Sequence, residues 1–358
     1  MSNYVTYEDG TITDQNGKII SFGFKRFVDD ICNGDNCLIC GAKREDKSFN
    51  DEHVIPKWVL RYCDLFKEHI ILPNTVKLRY DKYVLPCCSD CNSFYGENLE
   101  NKIQPILTSP YNELKSLINE EIGRLLYVWF AFVVFKTHLK DTLLRLHQDR
   151  RKGEDKIASK YQFEWLHHLH AVVRSLYTGS KISQEAIGTF IVLNADTGNL
   201  NRPFDYRDVN GVNTGLIRIG DKALLCALDD ARLSLRFLRS RLDPVLGQPL
   251  NPIQLREMLA HLTYIKKSLV NPPLFRTEYD LDEQLPTIKV TIPEDISLVE
   301  YKYEDYGAIL YLCTFDMIDN LIFEEGFDIH AQVKSGKIGF TVDENYNFVR
   351  QSSPQARK

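Results

Sequence analysis

Two short cysteine pairs carry the strongest chemical signal in this 358-residue chain: Cys37-Leu38-Ile39-Cys40 and Cys88-Ser89-Asp90-Cys91. Each C-x-x-C turn can present two thiolates to one metal ion while backbone amides stabilise their charge, and two such turns supply the four sulfurs of a tetrahedral zinc site. They stand 47 residues apart in a segment poor in core residues, which such an ion would hold folded. An ion bound by four thiolates has no open position, so the expected zinc is structural. Cys87 offers an alternative C-x-x-x-C spacing, although the spacing rule favours Cys88. Cys32 and Cys63 read as buried small hydrophobes. Between the pairs lies Asp51-Glu52-His53-Val54-Ile55-Pro56, and Asn92 follows the second pair directly. Glu97 and Glu100 come next, where a helix is expected. On a regular helix from Asn92, at about 100° per residue, Glu100 would sit about 80° round and Glu97 about 140°.

The order C-x-x-C, E-H-V-I-P, C-x-x-C-N-x-x-x-G-x-x-x-E resembles the zinc-knuckle branch of the HNH endonucleases, whose fold is the ββα-metal motif. The resemblance covers roughly residues 30–106. It implies that His53 is the general base that polarises water, a task suited to a neutral imidazole near pH 7. It also implies one catalytic divalent cation, Mg2+ or Mn2+, bound to the scissile phosphate. Glu52 and Asn92 map onto the positions that face this ion, and Glu100 matches the glutamate on which related motifs often end. The chain departs from the pattern at four places. Many members carry aspartate before the histidine and histidine after the last cysteine, where this chain has Glu52 and Asn92. Lys57-Trp58 stands where a glycine pair is common, and only Asp81 and Tyr83 are candidates for the middle asparagine.

These residues need elements to hold them. Residues 1–29 read as a hairpin-like segment with a turn at Asn16-Gly17, and 30–110 as the zinc-stapled module. Residues 111–358 read as a larger mixed α+β domain of unassigned role, so the fold class expected is α+β. Ser109-Pro110 resembles a helix start, and helical spacing then predicts a long buried helix over about 110–151, apolar all round from Leu125 to Phe135. A second helix is expected over about 160–177. Strands are expected at 188–193, 215–228, 288–292, 308–314 and 338–342, and helices at 230–242 and 252–270. His167, His168 and His170 lack the spacing of a metal pair and read as structural.

Composition sets bounds. Hydrophobic residues make up 44% of the chain and charged residues 26%, as in a folded globular protein. The start of the sequence has no signal-peptide pattern, and the eleven apolar residues from Leu125 to Phe135 fall short of the roughly 20 that span a bilayer. A cytoplasmic location is expected, with no membrane partner. The net charge of −5 gives no overall pull on nucleic acid, so binding must come from a local patch. The acidic part is C-terminal: from Glu278 to Asp328 there are 14 Asp or Glu against Lys289 and Lys302 alone. The function expected is a metal-dependent endonuclease acting on DNA or RNA, as in restriction or anti-phage defence, with a regulatory partner able to act through 111–358. The alternatives are a zinc-dependent nucleic-acid binder or regulator without cleavage, and a toxin restrained by its acidic region or a separate inhibitor.

Overall fold

The computed structural model describes residues 4–198, 203–280, 285–319, 326–343 and 345–350. The chain divides into two compact units: Met1–Ile106, Lys115–Ala186 and Phe275–Val290 form the first, and Leu107–Leu114, Ile187–Leu274 and Thr291–Lys358 the second. Helices and strands are mixed in both, and the fold class is α+β.

The first unit begins with a three-stranded antiparallel sheet of Tyr4–Thr6, Ile12–Asp14 and Ile19–Ser21. Asn16-Gly17 turns the chain between the last two strands, with Gly17 at φ +79°, in the left-handed region such turns need. The cysteine segment is built on a two-stranded antiparallel ribbon. Phe49–His53 pairs with Val84–Cys88, in register from Phe49 opposite Cys88 to His53 opposite Val84. The second strand runs into the helix Ser89–Tyr95, a π turn at Gly96–Glu100 and the helix Asn101–Thr108.

The long helix expected over 110–151 is shorter at both ends and spans Glu120–Asp141. Ser109-Pro110 closes the preceding helix. The new one starts where Asn119 Oδ1 accepts the Ile122 N–H at 2.9 Å and Glu120 and Glu121 complement the positive helix end. Past Asp141 the chain folds back on itself, with the Leu146 N–H donating to the Asp155 carbonyl at 2.7 Å. Every residue from Leu125 to Phe135 is buried. Among the described residues this is the one helix long and apolar enough to cross a membrane, and 83% of its apolar window lies inside the fold, so here it serves as a core helix. The helix Glu164–Thr178 packs along it and ends at Gly179, φ +78°.

The second unit centres on a four-stranded antiparallel sheet in the order Phe204–Val209, Thr214–Ile219, Lys222–Ala227, Thr189–Asn194. Residues 215–228, expected as one strand, are thus two, joined at Gly220-Asp221. The helix Pro252–Lys267 lies on this sheet, capped by Asn251 with Gln254 in reciprocal bonds of 3.0 Å. Ala308–Thr314, expected as a strand, belongs to the helix Tyr303–Ile318. Its buried Tyr306, Leu310 and Cys313 recur at helical spacing, which a short apolar run does not separate from strand composition. Ile338–Val342 is not a strand either. Buried Glu257 takes its hydrogen bonds instead, accepting the Phe340 N–H at 2.8 Å and the Thr341 hydroxyl at 2.7 Å. Of the acidic tract, residues 281–284 and 320–325 lie outside the described residues.

Candidate functional site

The first cysteine turn is closed by backbone bonds: the Cys37 N–H donates to the Ala42 carbonyl at 2.8 Å and the Gly41 N–H to the Cys37 carbonyl at 2.9 Å. Gly41 has φ +75°, and a Cβ there would lie 2.6 Å from Phe22 Cζ, so the turn needs glycine. The Cys40 backbone N–H donates to the Cys37 sulfur. In the second turn Cys88 stands at the N-cap of the helix Ser89–Tyr95, which carries Cys91. The sulfurs of Cys37, Cys40, Cys88 and Cys91 all lie within 4.8 Å of one another. Cys40 and Cys88 are 3.7 Å apart, close to the S···S edge of about 3.8 Å that Zn–S bonds of about 2.3 Å require in a tetrahedron. Four cysteines are therefore placed to bind a metal ion, in a geometry compatible with structural zinc. Cys87 approaches Cys37 at 3.8 Å but stands outside the group of four. Its hydrogen bond with Cys37 and its burial push its thiol up.

The helix Glu164–Thr178 braces the first turn from beneath. A ring nitrogen of His170 bonds the Leu38 carbonyl at 2.9 Å, and Arg174 donates to the carbonyls of Ile39, Ile20 and Ile19. Burial lowers the Arg174 guanidinium only to about 10, so it stays charged. Four thiolates around Zn2+ carry two net negative charges, and Arg174 and Lys47 are the cations that feel these sulfurs.

His53 ends the first strand of the ribbon, half-buried. Burial, then the charges of Lys57 and Lys136, lower its pKa to about 4, while Asp51 and Asp81 oppose them. The ring is neutral at pH 7 and able to accept a proton. Asp81 holds Arg79 at 2.8 Å through Oδ2. Glu52, the residue before His53, ion-pairs through Oε1 with Lys136 Nζ, which is fully buried and also donates to the His53 carbonyl at 2.7 Å. One helical turn on, Lys140 Nζ donates to the Val84 carbonyl at 2.7 Å. Because His53 and Val84 are opposite each other, the two lysines grip both strands at the same level.

Burial and the nearby Glu52 push Glu100 up to about 7, although Lys136 pulls it the other way. The π turn explains how Glu100 reaches this place. One extra residue in the turn sets everything after it back by about 100°, which moves Glu100 from about 80° to within about 20° of the Asn92 direction. Asn92 Nδ2 donates to Asn50 Oδ1 at 2.7 Å and towards the Asp51 carbonyl at 3.4 Å, so its own Oδ1 faces away from both. A groove of about 280 Å³ beside the ribbon is lined by Arg44, Asp51, Pro86 and Lys140 among others.

The structure thus gathers the four cysteines, and it sets Glu52 and Glu100 around Lys136 while Asn92 bonds Asn50 on the same strand. Tyr83 is buried in the core. Lys136, Arg174 and His170 escaped the sequence reading as parts of the site. For Lys136 a signal was present: a lysine directly following an eleven-residue apolar run inside an expected buried helix needs a partner. Comparison of the chain with models of known families, with curated proteins and with solved structures finds no match.

Proposed function

We propose that residues 30–106 act as an HNH-type nuclease module that hydrolyses phosphodiester bonds of DNA or RNA, with His53 as general base. The observation that carries this reading is the continuous strand–strand–helix path: the first strand ends on Glu52-His53, and the second leads through Cys88 and Cys91 into the helix that bears Asn92. The zinc would fasten the base of this path without taking part in chemistry. Neutral His53 would take a proton from water as the new P–O bond forms and the opposite ester P–O bond breaks. Glu52 Oε2, Asn92 Oδ1 and the Glu100 carboxyl are oxygen donors of the kind that suits Mg2+ or Mn2+. When bound, such an ion supplies positive charge to the phosphate and the leaving oxygen. Arg44 and Lys140 in the neighbouring groove would hold backbone phosphates.

A second reading, a nucleic-acid binder without cleavage, draws on the bond between Lys136 and Glu52, because that ammonium already neutralises one of the two carboxylates. One experiment separates the two. Purified protein is incubated with supercoiled plasmid and Mg2+ or Mn2+, beside His53→Ala. Metal-dependent nicking lost in the variant supports the nuclease; equal nicking by both proteins, or none by either, overturns it.

A further inference from the structure

The second unit presents a row of arginines with no described partner. In Ala231-Arg232-Leu233-Ser234-Leu235-Arg236-Phe237-Leu238-Arg239-Ser240-Arg241-Leu242 there are four arginines and no acid. The helix spans Leu233–Leu242 with Arg232 as its N-cap. Positions 232, 236 and 239 fall within about 60° of one another around a helix axis, one turn apart. Arg232, Arg236 and Arg239 are all exposed. None of the ion pairs among the described residues includes them. Arg241 is different: it is half-buried and lies 4.9 Å over the ring of Tyr346.

Two features set this row apart from an ordinary solvated face. Arg239 near the helix C-terminus complements the macrodipole, but Arg232 and Arg236 stand at its positive N-terminal end, where a cation is disfavoured unless an anion joins it. The backbone that presents Arg232 is also strained. Ala231 and Arg232 have φ of +50° and +62°, two successive non-glycine residues in the left-handed region. Fully buried Asp230 holds them there. Its carboxylate accepts the Thr189 N–H and hydroxyl at 2.7 Å each, and the Arg232 and Ser234 N–H groups at 3.1 Å each. Glycine would adopt this turn without strain, yet an arginine stands there.

We propose that Arg232, Arg236 and Arg239 form a second nucleic-acid contact, a ridge that binds backbone phosphates and anchors the substrate independently of the catalytic residues. Arginines one turn apart match a linear polyanion, and each can fork onto phosphate oxygens. The choice of nucleic acid over another polyanion rests on the nuclease reading. The ridge also answers how a chain of net charge −5 holds such a substrate: through a local row and not the overall field.

The test measures binding without added divalent cation, in full-length protein carrying His53→Ala, so cleavage plays no part. Fluorescence anisotropy of a short labelled DNA duplex is followed against salt for the parent, Arg232→Gln/Arg236→Gln/Arg239→Gln, the corresponding triple lysine variant, and Lys25→Gln/Lys115→Gln/Lys337→Gln as a charge-matched control at exposed sites. Three lost phosphate contacts lower the slope of log K against log salt by about 2.7 on duplex and about 2.1 on single strands. The glutamine variant is expected to show that fall, while the lysine variant and the control keep the slope of the parent. If the triple variant does not fold, Arg236→Gln and Arg239→Gln singly carry the test, each with a fall of about 0.9. An unchanged slope, an equal loss in the control, or a parent that binds no nucleic acid overturns the ridge. A protein that binds through the ridge but, with His53 intact, never cuts sinks only the nuclease reading.

Discussion

Lys136→Met tests the placement of Glu52, the carboxylate proposed to face the catalytic ion, through stability alone. Lys136 Nζ is fully buried and holds Glu52 Oε1 and the His53 carbonyl together, while the Glu52 side chain is only 12% exposed. Removing one partner of a buried pair costs about 3–5 kcal/mol, because the other charge is left uncompensated. Protonating a carboxylate at pH 7 costs about 4 kcal/mol and caps that loss; the abandoned carbonyl adds about 1 kcal/mol. Lys136→Met should therefore lose about 4–5 kcal/mol. Glu52→Gln strands the ammonium instead, although the His53 carbonyl and the Phe132 ring, 4.1 Å away, still hold it. Its expected loss is about 3 kcal/mol. In Lys136→Met/Glu52→Gln neither charge remains, so the double loss should fall short of the sum by at least about 3 kcal/mol. Trp58, Trp129 and Trp165, the only three tryptophans, all lie in the first unit, so fluorescence during urea unfolding reports on that unit. Losses that add to within about 0.5 kcal/mol would refute the pairing.

Three further perturbations read other parts of the site. Serine at Cys37, Cys40, Cys88 or Cys91 should abolish binding of one zinc per chain, whereas Cys87→Ser should keep it; metal analysis of the purified variants decides, and zinc loss on Cys87→Ser would reassign the ligand. Because the folded state holds His53 near 4 and not at its ordinary 6.5, protonation favours unfolding, and stability is lost as pH falls from about 6.5 towards 4. The acid limb of kcat/KM should accordingly lie well below pH 6, and a limb near 6.5 would contradict the burial argument. Glu100 has the opposite sign. Its folded value near 7 means that stability present below about 4.5 is lost as pH rises through 7, by at most about 3 kcal/mol. Glu100→Gln should be more stable than the parent at pH 8 and little different at pH 5, in matched urea titrations; a pH-independent difference would remove the desolvated carboxyl from the account.

How far the sequence reveals this fold depends on whether the deciding interaction is local. The cysteine turns are legible because the C-x-x-C spacing and Gly41 are enough to build each loop. The middle of the helix Glu120–Asp141 is legible because residues apolar on every side can only be buried. Its ends are not, since Ser109-Pro110 and Asn119 both look like starts and only the folded chain chooses between them. Ile338–Val342 has strand composition, but its backbone is captured by Glu257, 83 residues earlier in sequence for Phe340, which no local pattern shows.

The site divides along the same line, and its hardest residue shows why. His53 and the four cysteines announce themselves by type and spacing. Lys136 and Arg174 arrive from helices 83 and 135 residues away from the groups they bind, the His53 and Ile39 carbonyls, so their roles exist only in the packed unit. Glu100 is an intermediate case. A regular helix turns it away from Asn92, and on that wheel it reads as a surface residue. The π turn at Gly96–Glu100 rotates it back by about 100°. Gly96 begins that turn, and a Cβ placed on it would meet nothing within 4 Å. Gly96 is itself in ordinary right-handed helical conformation, φ −55° and ψ −49°, so neither crowding nor backbone geometry requires glycine at this position. What places the glutamate of the G-x-x-x-E ending beside Glu52 is thus the wider turn and not the glycine that opens it.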